Sequence, residues 1–230
     1  MHRTILFFIL IFSGVVATAQ NRLVPGYVVL DNGDSLKGYI QLKGRYTAPQ
    51  QVYYTKDASS QGTDYSVDNC KAFGTNDEAY QRWVVKMDMS TMNQIDFIIH
   101  REDSTLLDTV FLKRVYKGRN LSLYKYFRGN ERGFLKEEKE KLHFFLFDKE
   151  KMQELILRYK NPTTGVDFYK KMSMYDGDLL KRETQHFYRD QLSAYFDWES
   201  NRKLKRKIND LPYDEPSLIK AVKSIESVMR

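Results

Sequence analysis

The stretch VVLDNGDSLKGYIQL, residues 28–42, places two runs of apolar and β-branched residues on either side of a short polar sequence. Asn-Gly is the preferred central pair of a two-residue type I′ turn, because both central residues of that turn have positive φ. We therefore predict a β-hairpin with Asn32 and Gly33 at its centre. Asp31 and Asp34 are expected to lie in solvent on either side of the turn.

The oxygen-bearing side chains of this turn also raise the alternative of a calcium loop. A loop of the EF-hand type needs oxygen ligands at positions 1, 3 and 5, glycine at position 6 and glutamate at position 12. Counted from Asp31, positions 3, 6 and 12 are Gly33, Leu36 and Leu42. The stretch fails the template at each of these positions, so we expect no metal there.

Short apolar and aromatic runs continue from this hairpin to Phe147, and turn signals such as KGRN at 117–120 separate them. Short strands at close spacing are typical of an antiparallel sheet rather than of βαβ units. We predict a β-rich domain over residues 20–160, built as a sheet or as a small open barrel.

Residues 148–159, DKEKMQELILRY, fit two structures. Met152, Leu155, Ile156 and Tyr159 recur at the spacing of one helix face. The longer stretch 143–157 also fits two strands around a polar turn. The pattern leaves both alternatives open.

Helical spacing dominates after residue 161. Pro216 occupies a first-turn position, and Asp214 and Glu215 place negative charge at the same helix end, where the helix dipole favours it. We predict an amphipathic helical region over 161–230 that packs on the sheet, which makes the fold class α+β. The apolar positions that carry this prediction are Tyr188, Leu192, Tyr195, Phe196, Leu218, Val222, Ile225 and Met229.

Residues 1–19 have the features of a signal peptide. His2 and Arg3 are polar and basic, an apolar run covers 5–12, and small residues occupy 17–19. The apolar run is shorter than the ~20 residues that a membrane-spanning helix needs. We predict export with cleavage before Gln20 and a mature chain without a transmembrane segment; an uncleaved anchor is the alternative.

Positive charge is concentrated in the later part of the chain. Residues 20–100 contain 8 Lys and Arg against 9 Asp and Glu, whereas residues 101–230 contain 28 against 21. A basic surface attracts nucleic acid, anionic lipid or acidic polysaccharide. Export argues against nucleic acid, so we expect anionic lipid, lipopolysaccharide or an envelope protein as the partner.

The sequence NRKLKRK at 201–207 is the densest cluster of cations and the candidate anion-binding site. On a helix, Leu204 and Ile208 would form the buried stripe. One interpretation is a solvated face balanced by neighbouring acids; the other is contact with phosphates of lipid headgroups or lipopolysaccharide. The five candidate residues are Arg202, Lys203, Lys205, Arg206 and Lys207.

Recognised catalytic and metal motifs are missing from the sequence. Cys70 is the only cysteine, so no internal disulfide can form, and we interpret it as a small half-buried apolar residue. As a nucleophile it would need a base, and His100, His143 and His186 are scattered along the chain. The sequence has no HExxH, no GxSxG and no glycine-rich nucleotide loop. We therefore predict no catalytic residue, no cofactor and no metal.

Carboxylates that meet only in the folded chain keep a hydrolase open as an alternative. REDS at 101–104 and KEEKEK at 136–141 contain suitable groups, although solvated turns are the simpler interpretation. The substrate of such an enzyme would be a polysaccharide or peptidoglycan.

Four stretches together resemble a family of exported proteins of Bacteroidetes. They are GYVVLDNGDSLKGYIQL (26–42), YSVDNCKAFG (65–74), FLKRVYKGRNLSLYKYF (111–127) and FYRDQLSAYF (187–196). Members of that family carry a signal peptide, a GYI…NGD…GYI hairpin and an FL..L..G..SLY.Y hairpin, in some cases before an outer-membrane β-barrel. The chain departs from the family at Cys70, where an aliphatic residue is usual, and at Trp198, where cysteine follows the aspartate.

The resemblance implies a compartment and an architecture but no activity. We expect an exported cell-envelope protein that binds or scaffolds at the periplasm or outer membrane without catalysis. The alternatives are the carboxylate-dependent hydrolase and an accessory domain of a separately encoded outer-membrane barrel.

Overall fold

A computed structural model of the chain describes residues 23–43, 48–89, 105–128, 141–160 and 183–229. Antiparallel strands dominate the earlier part and helices follow, so the predicted α+β class is confirmed. The chain divides into two compact units, Met1–Lys43 with Pro49–Ala79, and Gly44–Ala48 with Tyr80–Arg230. The predicted signal peptide, the acidic stretches at 101–104 and 136–140, and the start of the predicted helical region lie outside the described residues.

The first unit is an antiparallel sheet with the strand order β4-β3-β2-β1-β5. Val28, Ile40 and Val52 alternate with more exposed neighbours and, like Phe73, are completely buried, as expected for strands with one face in a core. The strands are β1 Val24–Leu30, β2 Ser35–Lys43, β3 Gln51–Thr55, β4 Thr63–Ser66 and β5 Cys70–Gly74.

The first hairpin forms as predicted, but its turn type differs. Val29 pairs with Ser35, and the N–H of Leu30 donates to the carbonyl of Asp34 at 2.9 Å, which leaves three residues in the loop. Gly33 has φ +94°, whereas Asn32 has no positive φ. A three-residue loop with glycine in the left-handed region replaces the expected two-residue type I′ turn.

The reason for the difference is the side chain of Asn32. Its Oδ1 accepts a hydrogen bond from the N–H of Asp34 at 2.9 Å, and its Nδ2 donates to the Asp34 carboxylate at 2.6 Å. This Asx-type arrangement stabilises a turn without positive φ at the asparagine. The side-chain oxygens of Asn32 and Asp34 thus form hydrogen bonds within the turn itself.

The second unit contains five neighbouring strands in the order β10-β9-β8-β7-β6, and a separate two-stranded pair of β11 with β12. Residues 148–159 are not helical, because Met152 pairs with Phe147 and the stretch contributes β10 and the beginning of β11. The strands are β6 Ala79–Asp88, β7 Thr105–Lys117, β8 Ser122–Arg128, β9 Lys141–Phe147, β10 Met152–Leu155, β11 Arg158–Lys160 and β12 Glu183–Gln185.

Helices cover one face of the five-stranded sheet. The helices are α1 Phe187–Ser193, α2 Arg202–Asn209 and α3 Glu215–Val228. Their apolar faces join strand residues such as Leu123 and Phe144 in one buried cluster. None of the described helices combines the length and apolar character needed to cross a membrane.

The helix pattern of the sequence is confirmed in detail for α3. Asp214 caps its N-terminus by accepting a hydrogen bond from the N–H of Ser217 at 2.9 Å, and Pro216 lies in its first turn. Leu218, Val222 and Ile225 are completely buried.

The opposite face of this sheet is also buried and is concave. Its cluster includes Val85 of β6, Leu112 of β7 and Phe145 of β9. The rings of Trp83 on β6 and Phe147 on β9 are 5.0 Å apart, although two strands lie between these strands in the sheet. The sheet is therefore strongly curved, and this curvature brings the ends of β6 and β10 together.

Candidate functional site

The basic stretch at 201–207 forms α2, which presents cations to solvent. Leu204 and Ile208 are buried, as the spacing predicted. A helix turns roughly 100° per residue, so Arg202 and Arg206 lie on the side away from that buried stripe. Arg202, Lys203, Arg206 and Lys207 are all exposed, and together they are termed the cation face.

Lys205, the fifth candidate, does not belong to this face. Its Nζ donates to Ser193 Oγ of α1 at 3.0 Å, and the residue is half-buried. The stem of Lys205 therefore lies between two helices, and the structure separates one structural cation from four outward ones.

The charges of the cation face have no acidic partner in the part of the chain that the structure describes. Within the described ranges, no ion pair joins any of its four residues to an acid. Two of them, Arg206 and Lys207, lie in the last turn of α2, where the helix dipole favours positive charge. The alternative of a solvated face balanced by neighbouring acids does not require direct contact, so both interpretations of this stretch stay open.

A turn with an exposed tryptophan precedes α2. Trp198 is 54 % exposed. Asp197 holds the turn: its carboxylate accepts from the N–H of Glu199 at 3.0 Å and from the hydroxyl of Ser200, and its carbonyl accepts from Asn201 Nδ2 at 2.9 Å. The Ser200 hydroxyl, more than any other group, keeps the pKa of Asp197 below its usual range.

The second notable site is a cleft of about 370 Å³ at the end of the curved sheet, where β6, β10 and α1 meet. This volume is at the lower end of the range for small-molecule sites. Lys86 and Thr105 are exposed at the cleft, whereas Asp88 and Glu154 are buried. Its polar lining consists of Lys86, Asp88, Thr105, Gln153, Glu154, Arg158 and Gln191.

Both carboxylates of the cleft are held by neighbours. Arg158 Nε donates to Asp88 Oδ2 at 2.6 Å, and the N–H of Asp88 donates to Glu154 Oε2. The other oxygen of Glu154 lies 2.6 Å from Nδ1 of His143. The result is a chain of contacts from Arg158 through Asp88 and Glu154 to His143.

His143 is the innermost member of this chain. It is completely buried, and its ring lies near the rings of Tyr126 and Phe145, each at 6.3 Å between centroids. Its Nε2 makes no hydrogen bond within the described part of the protein. Such a histidine depends on Glu154 for its only polar contact, because buried polar groups are costly without a partner.

Helix α1 closes the β10 edge beside the cleft. Gln191 Nε2 donates to the carbonyl of Glu154 at 2.7 Å, and its Oε1 accepts from the N–H of Ile156 at 2.9 Å. The Tyr213 hydroxyl donates to the carbonyl of Leu155 at 2.5 Å. Burial, and then the negative charge of Glu154, raise the pKa of Tyr213 above its usual range.

In this state a substrate would have to displace a protein donor to reach either carboxylate of the cleft. A general acid or base must reach the proton of a substrate, whereas each of these carboxylates is engaged by a protein donor. Across the described ranges, no three His, Cys, Asp or Glu side chains come together to hold a metal.

Cys70 lies in the first unit. It is completely buried rather than half-buried as expected, and its thiol donates to the carbonyl of Ala72 at 3.2 Å. His100, one of the histidines weighed as its base, lies outside the described residues. Burial of this kind is typical of a packing residue.

No pattern in the sequence predicts the chain of contacts that joins Arg158, Asp88, Glu154 and His143. A signal was present in β9, where His143 interrupts an apolar run, but β10, MQEL, has no apolar run that would single out Glu154. A charged residue within a buried strand needs a partner, and the pattern does not say which.

No family model, curated protein or solved structure matches the chain.

Proposed function

We propose that the chain is an exported envelope module that binds an anionic, phosphate-bearing surface through α2 and catalyses no reaction. The observation that carries the proposal is the cation face, with four outward cations and no ion pair to a described acid. Lipid headgroups and lipopolysaccharide both present such phosphates. The signal-peptide features of residues 1–19 support a compartment outside the inner membrane.

We expect the binding of α2 to an anionic surface to have moderate affinity and to depend on the salt concentration. Each cation near an anionic membrane contributes about 1 kcal/mol, so four cations supply up to about 4 kcal/mol, or roughly a thousandfold in affinity. At physiological ionic strength the Debye length is about 8 Å, and exposed charges are strongly screened. Binding should weaken steeply as salt is raised.

Co-sedimentation with vesicles of equimolar phosphatidylcholine and phosphatidylglycerol tests the proposal. We expect the wild type to sediment at low salt and a variant with the whole cation face changed to glutamine to remain in solution. A control variant loses the same number of charges at exposed lysines elsewhere. These four changes are Lys56→Gln, Lys71→Gln, Lys117→Gln and Lys151→Gln.

The control should sediment nearly as well as the wild type, because it retains the cation face. Equal losses in both variants would mean that net charge alone drives binding. Equal sedimentation of the wild type and the cation-face variant would show that α2 is not the contact. Either result is incompatible with the proposal.

A carboxylate-dependent hydrolase is the second candidate, favoured by the two buried carboxylates in one cleft. The enzyme would act on peptidoglycan or polysaccharide, with Asp88 or Glu154 released from its present partner when substrate binds. Incubation with purified sacculi tests this directly. Soluble fragments that the wild type releases and a folded Glu154→Gln variant does not would support it, and no release by the wild type would exclude that substrate.

A further inference from the structure

An exposed tryptophan stands immediately before the cation face. Trp198 is 54 % exposed, and it precedes Arg202 by four residues. The hydrogen bonds of Asp197 to Glu199 and Ser200 fix the turn that carries it. The ring is therefore displayed on an ordered turn instead of packing into the helical core.

Exposure of so large a ring has a free-energy cost in water, and a membrane interface removes it. Tryptophan combines a large apolar area with one N–H donor, and it concentrates where hydrocarbon meets headgroups. Interfacial segments combine such an aromatic residue with lysines and arginines that contact anionic headgroups. Residues 198–207 present both features in one continuous stretch.

We propose that Trp198 enters the interfacial layer of an anionic phospholipid bilayer while the cation face contacts its phosphates. The inference rests on the proposed function and makes it more specific. Phosphates alone would satisfy the cations, but only a bilayer also offers an apolar layer for the ring. The partner is thus a phospholipid surface, not a soluble phosphorylated glycan.

Fluorescence can follow this residue by itself, because the chain has 2 tryptophans. Trp83→Phe leaves Trp198 as the single reporter. The Trp83 ring packs against Tyr124 and Phe147, with centroids 6.0 and 5.0 Å away, so phenylalanine keeps an aromatic ring in the same place. Circular dichroism confirms that the Trp83→Phe protein is folded before it is used.

On addition of the equimolar phosphatidylcholine and phosphatidylglycerol vesicles at low salt, we expect Trp198 emission to shift to shorter wavelength. Brominated acyl chains in the same vesicles should quench it. In the wild-type background, Trp198→Ala should lower vesicle partitioning about tenfold, the effect of burying roughly 60 Å² of apolar surface. Trp198→Phe should recover part of that loss.

Leu107→Ala is the matched control, because Leu107 is 70 % exposed on β7, outside the stretch 198–207. It should leave partitioning unchanged, and an equal loss in Leu107→Ala and Trp198→Ala would overturn the inference. Sedimentation that depends on the cation face, without a spectral shift or quenching, would also overturn it and leave the proposed function standing. If the wild type does not sediment at all, both are wrong.

Discussion

The carboxylate of Glu226 on α3 accepts a hydrogen bond of 2.6 Å from the hydroxyl of Tyr116 on β7, across 110 residues of sequence. The same carboxylate accepts from the N–H groups of Asn120 and Leu121 at 2.6 and 2.7 Å. A Cβ added to Gly118 would lie 1.9 Å from Glu226 Oε2, so the turn has glycine where the carboxylate approaches. One side chain thereby attaches the last helix to the β7–β8 turn.

We expect Glu226→Ala to lower the free energy of unfolding by about 2–3 kcal/mol, because it leaves two backbone donors and a hydroxyl without their acceptor. Glu226→Gln should cost less, since the amide oxygen can still accept. Urea denaturation followed by circular dichroism measures both changes. Ser227→Ala, at an exposed position of the same helix, serves as the control and should change stability little.

The same contact predicts a pH dependence at both ends of the scale. Burial raises the pKa of Glu226, but the hydrogen bonds from Tyr116, Leu121 and Asn120 outweigh it and keep the pKa below the ordinary value of 4.5. A carboxyl group whose pKa is lower in the folded state stabilises that state at pH values above its unfolded pKa. This stabilisation is lost as the pH falls through the folded-state pKa. The difference in stability between wild type and Glu226→Gln should therefore shrink below about pH 4.5.

For Tyr116 the pH dependence runs in the opposite direction, because its contribution to stability is lost as the pH rises. Its hydrogen bond to Glu226, then burial and the nearby negative charge, raise its pKa from 10.0 to about 12. The contribution of the Tyr116 hydroxyl to the free energy of unfolding is complete below pH 10 and is lost as the pH rises through about 12. Tyr195 and Tyr213 also have raised pKa values, so the diagnostic quantity is the difference between wild type and Tyr116→Phe. A difference that stays constant from pH 9 to 12 would contradict the prediction.

The local periodicity of apolar residues was sufficient to predict the fold class and several of its elements. The hairpin at 28–42 and the apolar spacing of α3 were readable because each pattern is complete within a short stretch. The turn type was not readable, because the Asx hydrogen bonds of Asn32 compete with the positive φ that Asn-Gly prefers. For residues 148–159, the register of Met152 with Phe147 decided between alternatives that spacing alone left equal.

The turn between β9 and β10 offers a stabilising substitution. Lys149 has φ +74°, a left-handed conformation that is costly for a side chain with a Cβ. Lys149→Gly should raise the free energy of unfolding by roughly 0.5–1 kcal/mol, since glycine adopts this φ without that cost. The exposed hydrogen bond from Lys149 to Asn120 is lost, with a small opposing effect.

Lys149 lies three residues before β10, and Lys151 lies one residue before it. A comparison of the melting temperatures of Lys149→Gly and Lys151→Gly separates the effect of backbone strain from the effect of losing a lysine side chain. Lys151 has no positive φ, so glycine there should destabilise or leave stability unchanged. A lower melting temperature for Lys149→Gly would show that the strain at this position is negligible.

The chain of contacts from Arg158 to His143 at the cleft could not be predicted from local sequence patterns, for a different reason. Asp88 and Glu154 are 66 residues apart, and they meet only because the sheet curves. The basic stretch of α2, by contrast, was found from sequence, since five cations in a short segment need no tertiary information. The structure then separated Lys205 from the other four through its bond to Ser193.

The pair of His143 and Glu154 makes the sharpest energetic prediction. Both residues are buried, with Nδ1 and Oε1 2.6 Å apart, and the histidine has no other polar partner in the described part of the protein. Removing Glu154 leaves the imidazole of His143 and the N–H of Asp88 without their partner, and each such buried polar group costs about 1–3 kcal/mol. Glu154→Leu alone should therefore destabilise strongly.

Replacing both members should cost less than the two single changes together, because the double variant leaves no unpaired imidazole, although the N–H of Asp88 still loses Glu154 as its acceptor. The cycle of His143→Phe, Glu154→Leu and the double variant, followed by urea denaturation, should give a coupling energy of at least about 1 kcal/mol. Phenylalanine suits the site because Tyr126 and Phe145 already surround the ring. Strict additivity of the two changes would mean that the contact is energetically neutral, and that Glu154 is held in place by Asp88 alone.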